Sequence, residues 1–503
     1  MRNTGIILWL AALFTVLSCH REDPPQPVPD PAPTQIILSA TSFQVAQAGE
    51  TLTLAVTAPA RPTVSGVPDW IRFGDGTYKD YQVTFTFEVH ANTTYQSREA
   101  VLTLSSTGVS SVTVTVSQEA AQKPAGPEPL EPGADADGWE NAAACARNMG
   151  TGWNLGNTLD SNSGDINNMW IEAWSARTPS DYEKAWGQPV TTRELIHLFK
   201  EAGFGAIRVP VTWYPHIGTV TVSGAKWDMS TWTGYDVDPV WMARVKEVVG
   251  YVLDEGLYCI LNVHHDTGDG STAWLRASTD VYEAVKDRYT ALWQQIATEF
   301  ASCGQQLVFE SFNEMLDNQG QWNGSSDNAY EAINLYNAAF VATVRATGGN
   351  NLHRNLILNT YRASPQAKGL RALRLPEDAI PGHLLAEVHS YSPYRFAFDN
   401  DNPQNTFDAA CEQEVRGQIE TINTCLVSQG IPCVLGEYGC TGNRTEAERA
   451  KQAACYVSAA AQYDIPCFYW MTLSDGEDRS VPKWSTPVLK DAILKAWQEN
   501  KKQ

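Results

Sequence analysis

Leu307-Val308-Phe309-Glu310-Ser311-Phe312-Asn313-Glu314 is a short apolar run that stops on two polar residues. Its length suits a buried strand, and it follows a segment where Tyr289, Leu292, Ile296 and Phe300 recur at helical spacing. Helix, strand, then polar residues at the strand's far end is the repeating unit of an α/β fold. Seven other runs share the texture: Trp153–Gly156, Ala206–Val211, Tyr258–Val263, Leu356–Asn359, Leu384–Val388, Cys433–Leu435 and Cys467–Trp470. Helical patterns separate most of them. Thr191-x-x-Glu194 reads as a capping box opening a helix to Ala202, and Val245, Val248, Val249 and Val252 make one apolar face of the next. Eight strands alternating with helices predict an α/β chain, a (β/α)8 TIM barrel over residues 139–503. A doubly wound sheet is the alternative, but no Gly-rich phosphate-binding turn follows the first run.

Upstream the rhythm changes. Thr51-Leu52-Thr53-Leu54-Ala55-Val56, Val83-Thr84-Phe85-Thr86-Phe87-Glu88-Val89 and Val112-Thr113-Val114-Thr115-Val116 alternate with period two, as half-buried antiparallel strands do. Residues 36–118 therefore read as a small all-β, immunoglobulin-like sandwich. Ser42-Phe43, Pro68-Asp69-Trp70-Ile71 and Arg98-Glu99-Ala100-Val101-Leu102-Thr103-Leu104 resemble the BACON domain of Bacteroidetes surface proteins. A spacer role is expected for it ahead of glycan binding. Pro124, Pro127, Pro129 and Pro132 mark residues 119–138 as a linker, and six prolines in the fourteen residues from His20 to Pro33 mark 19–35 as an extended tether.

Residues 1–18 read as a signal peptide: Arg2 precedes an apolar stretch from Ile6 to Leu17 that is too short to span a bilayer. It ends in Val16-Leu17-Ser18-Cys19, and a small residue before Cys looks like a bacterial lipoprotein signal. Cys19 is thus the expected lipidation site, with a lipid bilayer as partner and an outer-membrane, cell-surface location suggested by Glu22 and Asp23. None of the other nine Cys forms a C-x-x-C pair, so no structural metal and no cofactor are expected. A net charge of −21 disfavours nucleic acid as a partner, and a monomer is expected.

Catalytic groups of such barrels project from the C-terminal ends of the strands. Those ends carry Arg208, His264-His265, Asn313-Glu314, His389 with Tyr391, Glu437 and Trp470. Two carboxylates converging on one mouth with an Arg, a Tyr and several His describe a site. Gly152-Trp153-Asn154-Leu155-Gly156-Asn157-Thr158-Leu159-Asp160, Ile207-Arg208-Val209-Pro210-Val211, Asn262-Val263-His264-His265, Phe312-Asn313-Glu314, Val388-His389-Ser390-Tyr391 and Leu435-Gly436-Glu437-Tyr438-Gly439 together resemble glycoside hydrolase family 5, the cellulase family.

The resemblance implies a retaining endo-β-1,4-glucanase or xyloglucanase, with a β-glucan polysaccharide as substrate, Glu314 as acid/base and Glu437 as nucleophile. Arg208 and Tyr391 would hold Glu437 ionised, while Glu314 keeps its proton until the glycosidic bond breaks. Asn313 would meet the sugar 2-hydroxyl, His264 the sugar at the cleavage site, His389 Glu314, and Trp470 would floor that subsite, with His265 beside it. Met315 follows Glu314 where many relatives carry Pro. Glu310, on the same strand face as Glu314, is expected deeper and paired. Trp213, Trp274, Trp322 and Trp484 are candidates for outer subsites. An endo-β-mannanase on the same scaffold is the alternative; a non-catalytic glycan-binding lipoprotein would require a lost glutamate, and both are present.

Overall fold

The computed structural model describes residues 31–92, 97–120, 129–320, 322, 326–401, 403–470 and 482–502. The segment read as a signal peptide, Cys19, most of the expected tether and residues 121–128 of the expected linker lie outside them. Among the described residues no helix is long and apolar enough to cross a membrane. The chain divides into two compact units, residues 1–125 and 126–503.

The first unit is a sandwich of two four-stranded sheets. One orders Ile37–Leu38, Glu50–Thr57, Gln82–Val89 and Ile71–Gly74; the other orders Ser42–Val45, Val112–Gln118, Arg98–Ser105 and Thr63–Ser65. Alternation decides the inner faces: Leu52, Leu54, Val56, Phe85, Phe87, Leu102, Leu104, Val114 and Val116 are buried between the sheets while their neighbours face out. The pairing is antiparallel except for Ser42–Val45, which runs parallel to Val112–Gln118. Trp70 is half-buried against this core, with the Arg98 guanidinium 4.4 Å above its ring.

The second unit is a closed barrel of eight parallel strands: Thr151–Asn154, Ala206–Val209, Tyr258–Asn262, Leu307–Glu310, Leu356–Asn359, Leu384–Ser390, Cys433–Tyr438 and Cys467–Trp470. These are the eight runs expected. Each side chain's face follows from period two. Ile207, Cys259, Phe309, Leu358, Val388, Leu435 and Tyr469 point outward into the layer shared with the helices. Ala206, Ile260, Val308, Ile357, Leu385, Val434 and Phe468 point inward and fill the barrel's lower interior. Two residues further along the strands, the inward positions become Asn154, Arg208, Asn262, Glu310, Asn359, Glu387, Gly436 and Trp470. The barrel thus carries a polar layer on an apolar plug, and that change is what places chemistry at one end.

The helix Ala142–Met149 closes the opposite end, burying Ala142, Cys145, Ala146 and Met149 against the plug. The segment before it differs from a free linker. Asp135 accepts from the rings of His353 (2.6 Å) and His383 (3.1 Å), which stand just before the fifth and sixth strands. Burial works against it, but the hydrogen bond to His353, then those from the backbone N–H groups of Trp139 and Asp137, hold the Asp135 carboxyl down at about 2. The helix Arg193–Ala202 opens one residue later than the capping box implies: Thr192, not Thr191, accepts the Leu195 N–H. The Thr191 N–H turns instead to Glu183, buried in its own ion pair with Arg244. Two further strands, Ile217–Ser223 and Lys226–Val237, form a hairpin outside the barrel, anchored by buried Trp227 and Trp232. All nine Cys among the described residues are free thiols.

Candidate active site

The expected residues meet at the C-terminal mouth of the barrel. His264, His265, Asn313, Glu314, His389, Tyr391, Glu437 and Trp470 line one cleft of about 860 Å³. Arg208 lies immediately beneath, fully buried. Its guanidinium spends every side of its fork: Nε and Nη2 donate to the two oxygens of Glu310 (both 2.7 Å), Nη1 to Glu437 Oε1 (2.8 Å) and Asn154 Oδ1 (3.0 Å), and Nη2 to Asn313 Oδ1 (2.9 Å). Planar, multidentate geometry of this kind is what arginine supplies and lysine does not. The Tyr391 hydroxyl donates to the other Glu437 oxygen at 2.7 Å. Both oxygens of Glu437 are therefore hydrogen-bonded. Because Arg208 takes the Asn313 carbonyl, that amide's N–H groups remain for a sugar hydroxyl.

His389 is held by carboxyls. Its Nδ1 is 2.7 Å from Glu314 Oε1 and 3.6 Å from Glu437 Oε2, and its Nε2 is 3.0 Å from Glu387 Oε1. Burial alone would push the ring toward neutrality, but Glu437 and the hydrogen bonds to Glu314 and Glu387 hold it up at about 10, so it is an imidazolium at neutral pH. His264 is the opposite case. Burial, reinforced by His265, Arg208 and His389, pushes it well below its ordinary value. His265 is brought down to about 4 by burial, against the pull of Glu314. Burial and then Glu437 drive the Tyr391 phenol well up, so it stays a donor.

Rings pave the cleft on one side. Trp470 stacks parallel to His264 with centroids 5.7 Å apart; His264 meets His265 edge-on at 4.5 Å; His265 meets Trp186 at 5.4 Å. Gly156 makes room for this floor, since a Cβ there would stand 2.8 Å from the Trp470 ring. Trp322, 45 % exposed, and the rings of Tyr394 and Phe398 flank the other side with Arg362, Ser364 and Gln366. Of the four outer-subsite candidates only Trp322 faces this cleft. Trp213 and Trp274 are buried with their indole N–H groups on Asn262 O and Asp266, and Trp484 packs on Trp153, Phe199 and Phe204 in the core.

Glu310 sits below Glu314 and is paired with Arg208, as its place on the strand implies; Asn262 and Asn359 also donate to it. Sequence reasoning missed Trp186, Asn154, Asn262, Arg362 and above all Glu387. Two clusters offer three nitrogen or oxygen atoms within 4.8 Å of one another: Asp160 with His264 and His265, and Glu314 with His389 and Glu437. Asp160 already accepts the backbone N–H groups of Asn157 and Thr158. A protonated His389 has no lone pair for a metal.

Comparison with known proteins agrees with this geometry. The model of the cellulase family, glycosyl hydrolase family 5, matches residues 165–476, and that of a putative N-terminal binding domain, BACON, matches residues 61–119. Endoglucanase A of Clostridium longisporum is 32% identical over 383 residues, 74% of this chain and 68% of that protein. Endoglucanase 1 of Ruminococcus albus is 36% identical over 353 residues, covering 68% and 78%. A family 5 enzyme from Prevotella bryantii, solved with a xyloglucan tetradecasaccharide, shares 38% identity at a TM-score of 0.63, over 71% of this chain and 99% of that one. A Bacteroides ovatus family 5 xyloglucanase, 23% identical with a TM-score of 0.61, is alike in fold over 92% of this chain and 100% of its own. With the eight strands, the paired glutamates and these matches in agreement, the chain belongs to the cellulase family, glycosyl hydrolase family 5.

Proposed function

We propose that the protein is a retaining endo-β-1,4-glucanase that hydrolyses β-glucan backbones by double displacement. One observation carries the mechanism: a carboxylate oxygen of Glu314 and one of Glu437 lie within 4.8 Å of each other across the cleft. Retaining enzymes hold their carboxyls about 5–5.5 Å apart, and inverting ones about 6.5–9.5 Å, to seat a water. Glu437, ionised between Arg208 and Tyr391, attacks the anomeric carbon. Glu314 protonates the leaving oxygen, and later takes a proton from water as the glycosyl ester is hydrolysed. The imidazolium of His389 supports Glu314 through Nδ1–H, and Asn313 donates to the 2-hydroxyl as charge develops on the ring.

The two glutamates should fail differently. Glu437→Ala loses all substrates by many thousandfold. Glu314→Ala loses polysaccharide but nearly spares the glycosylation step of a dinitrophenyl cellobioside, whose leaving group needs no proton, and azide restores its turnover as a β-glycosyl azide. An inverted product by NMR would overturn the mechanism. Xyloglucan or mixed-linkage glucan is the proposed substrate, ahead of crystalline cellulose. The open, aromatic-paved cleft supports that order, as do the relatives described as broad-specificity endoglucanases. The sandwich adds no evident platform, because Arg98 covers its one Trp. Efficient sugar release from crystalline cellulose would contradict it.

The site of action proposed is the outer face of the outer membrane, through acylation of Cys19. The apolar stretch ending at Ser18-Cys19 and the acidic Glu22-Asp23 support it. Metabolic labelling with a fatty-acid analogue tests it: label on the wild type and none on Cys19→Ala is expected, and an unlabelled wild type rejects it.

A further inference from the structure

Glu387 lies fully buried under the catalytic pair, and the mechanism above does not use it. It stands on the sixth strand two residues before His389, so both side chains point into the barrel. Every element packed against it brings a polar or titratable group. From its own strand comes His389, whose Nε2 is 3.0 Å from Glu387 Oε1. From the second comes Arg208, with Nε at 3.4 Å from the same oxygen. The fourth brings the Glu310 carboxyl within hydrogen-bond reach. The seventh brings Glu437, at the other face of His389, and the buried thiol of Cys433.

Two geometric facts indicate how the carboxyl is held. Oε2 of Glu387 has no N–H donor among the described residues. Glu310, by contrast, accepts four N–H bonds, from Arg208 Nε and Nη2, Asn262 and Asn359. When two buried carboxyls adjoin, the one supplied with fewer donors carries the proton, and Glu387 has donors on Oε1 alone. Burial and the Glu310 charge push Glu387 up to about 8, in the same sense. The second fact is Gly436. A Cβ there would stand 1.6 Å from Glu387 Oε1, so the residue before Glu437 has no side chain where this carboxyl lies.

We propose that Glu387 is a positioning residue for the acid/base: a neutral carboxylic acid that accepts the Nε2–H of His389, donates its own O–H to Glu310, and thereby keeps the Nδ1–H of His389 on Glu314. An imidazole is oriented by what its far nitrogen meets. With Glu387 neutral, the buried cations Arg208 and His389 face the anions Glu310 and Glu437. An ionised Glu387 would add an uncompensated buried charge.

The inference rests on Glu314 acting as acid, and its test separates the two. The kcat/KM of wild type, Glu387→Leu, Glu387→Gln and Glu314→Ala is measured on mixed-linkage glucan and on dinitrophenyl β-cellobioside. Glu387→Leu should lose about 100-fold or more on the glucan, the scale of general-acid assistance, and within about tenfold on the dinitrophenyl glycoside. Glu387→Gln should recover the glucan rate to within about tenfold of wild type, because an amide also accepts on one side and donates on the other. Equal losses on both substrates for Glu387→Leu would reduce Glu387 to a structural role, and a Gln variant as poor as the Leu variant would show that an anion is needed. Should Glu387→Leu fail to fold, the nitrogen-15 resonances of His389 at neutral pH decide: both ring nitrogens protonated in wild type and in Glu387→Gln is expected, and an unprotonated Nε2 in wild type overturns the proposal. A Glu314→Ala variant that loses both substrates alike would reject the reading of the catalytic pair instead.

Discussion

Replacing Arg208 with Met removes the cation that joins the polar layer. The structure gives the size of the effect. Five hydrogen bonds are lost, two to Glu310 and one each to Glu437, Asn154 and Asn313, and two carboxylates lose their counter-ion, Glu310 fully buried and Glu437 at the floor of the cleft. Stranding a buried charge costs about 3–5 kcal/mol. Glu310 keeps its donors Asn262 and Asn359, so the single variant should fall in that range rather than beyond it. The double variant Arg208→Met/Glu310→Gln neutralises the more deeply placed carboxyl and should regain about 2 kcal/mol, a coupling typical of groups in direct contact. Urea unfolding followed by tryptophan fluorescence reports on the barrel, because Trp70 is the only Trp between residues 36 and 118. A single variant weakened by less than about 1 kcal/mol, or a double variant no more stable than the single, would refute the view that Arg208 balances these charges.

Stability should peak at a pH of about 6.5 and fall on both sides. His389, held at about 10, and Glu387, at about 8, are raised groups, so the stability they confer is complete below their unfolded values and lost as pH climbs through 8 and 10. His216, at about 3, His265, at about 4, and His264 are depressed by burial, so the unfolded chain takes up their protons below 6.5 and acid destabilises the fold. Each proton of difference is worth about 1.4 kcal/mol per pH unit, and melting temperatures from pH 4 to 10 would expose a maximum below 5 or above 8 as a contradiction. Trp322→Ala should raise KM for glucan about tenfold, roughly 1.4 kcal/mol, with the melting temperature little changed. Trp213→Ala should instead cost about 3–5 kcal/mol of stability; similar behaviour of the two in kinetics and melting would undo the division between cleft and core.

The barrel was legible because each strand is a continuous apolar run that stops on a polar residue. Glu310 was legible as a buried partner because period two puts it on the face of Glu314. The same count, two residues back from His389, reaches Glu387, which interrupts Leu384–Val388 as Glu310 interrupts its own run, but the sequence does not show that this carboxyl meets His389. Trp213, Trp274 and Trp484 follow strand ends as Trp322 does, yet turn into the core; sequence position gives the start of a loop and not its path. The hairpin has a signal of its own in the alternation Thr219-Val220-Thr221-Val222-Ser223 before Gly224. The capping register slipped by one because Thr191 and Thr192 are adjacent and equally suited, and only the buried Glu183 decides between them.

The grip of His353 and His383 on Asp135 fixes where the polypeptide joins the catalytic body. It does so at the N-terminal ends of the fifth and sixth strands, and the sixth strand runs seven residues, roughly 20 Å, before its far end reaches His389 and the cleft. Entry of the chain and cleavage of the sugar are thus served by opposite ends of the same strands, so a defect at Asp135, His353 or His383 should loosen the blind end of the barrel while Glu314 and Glu437 keep their places.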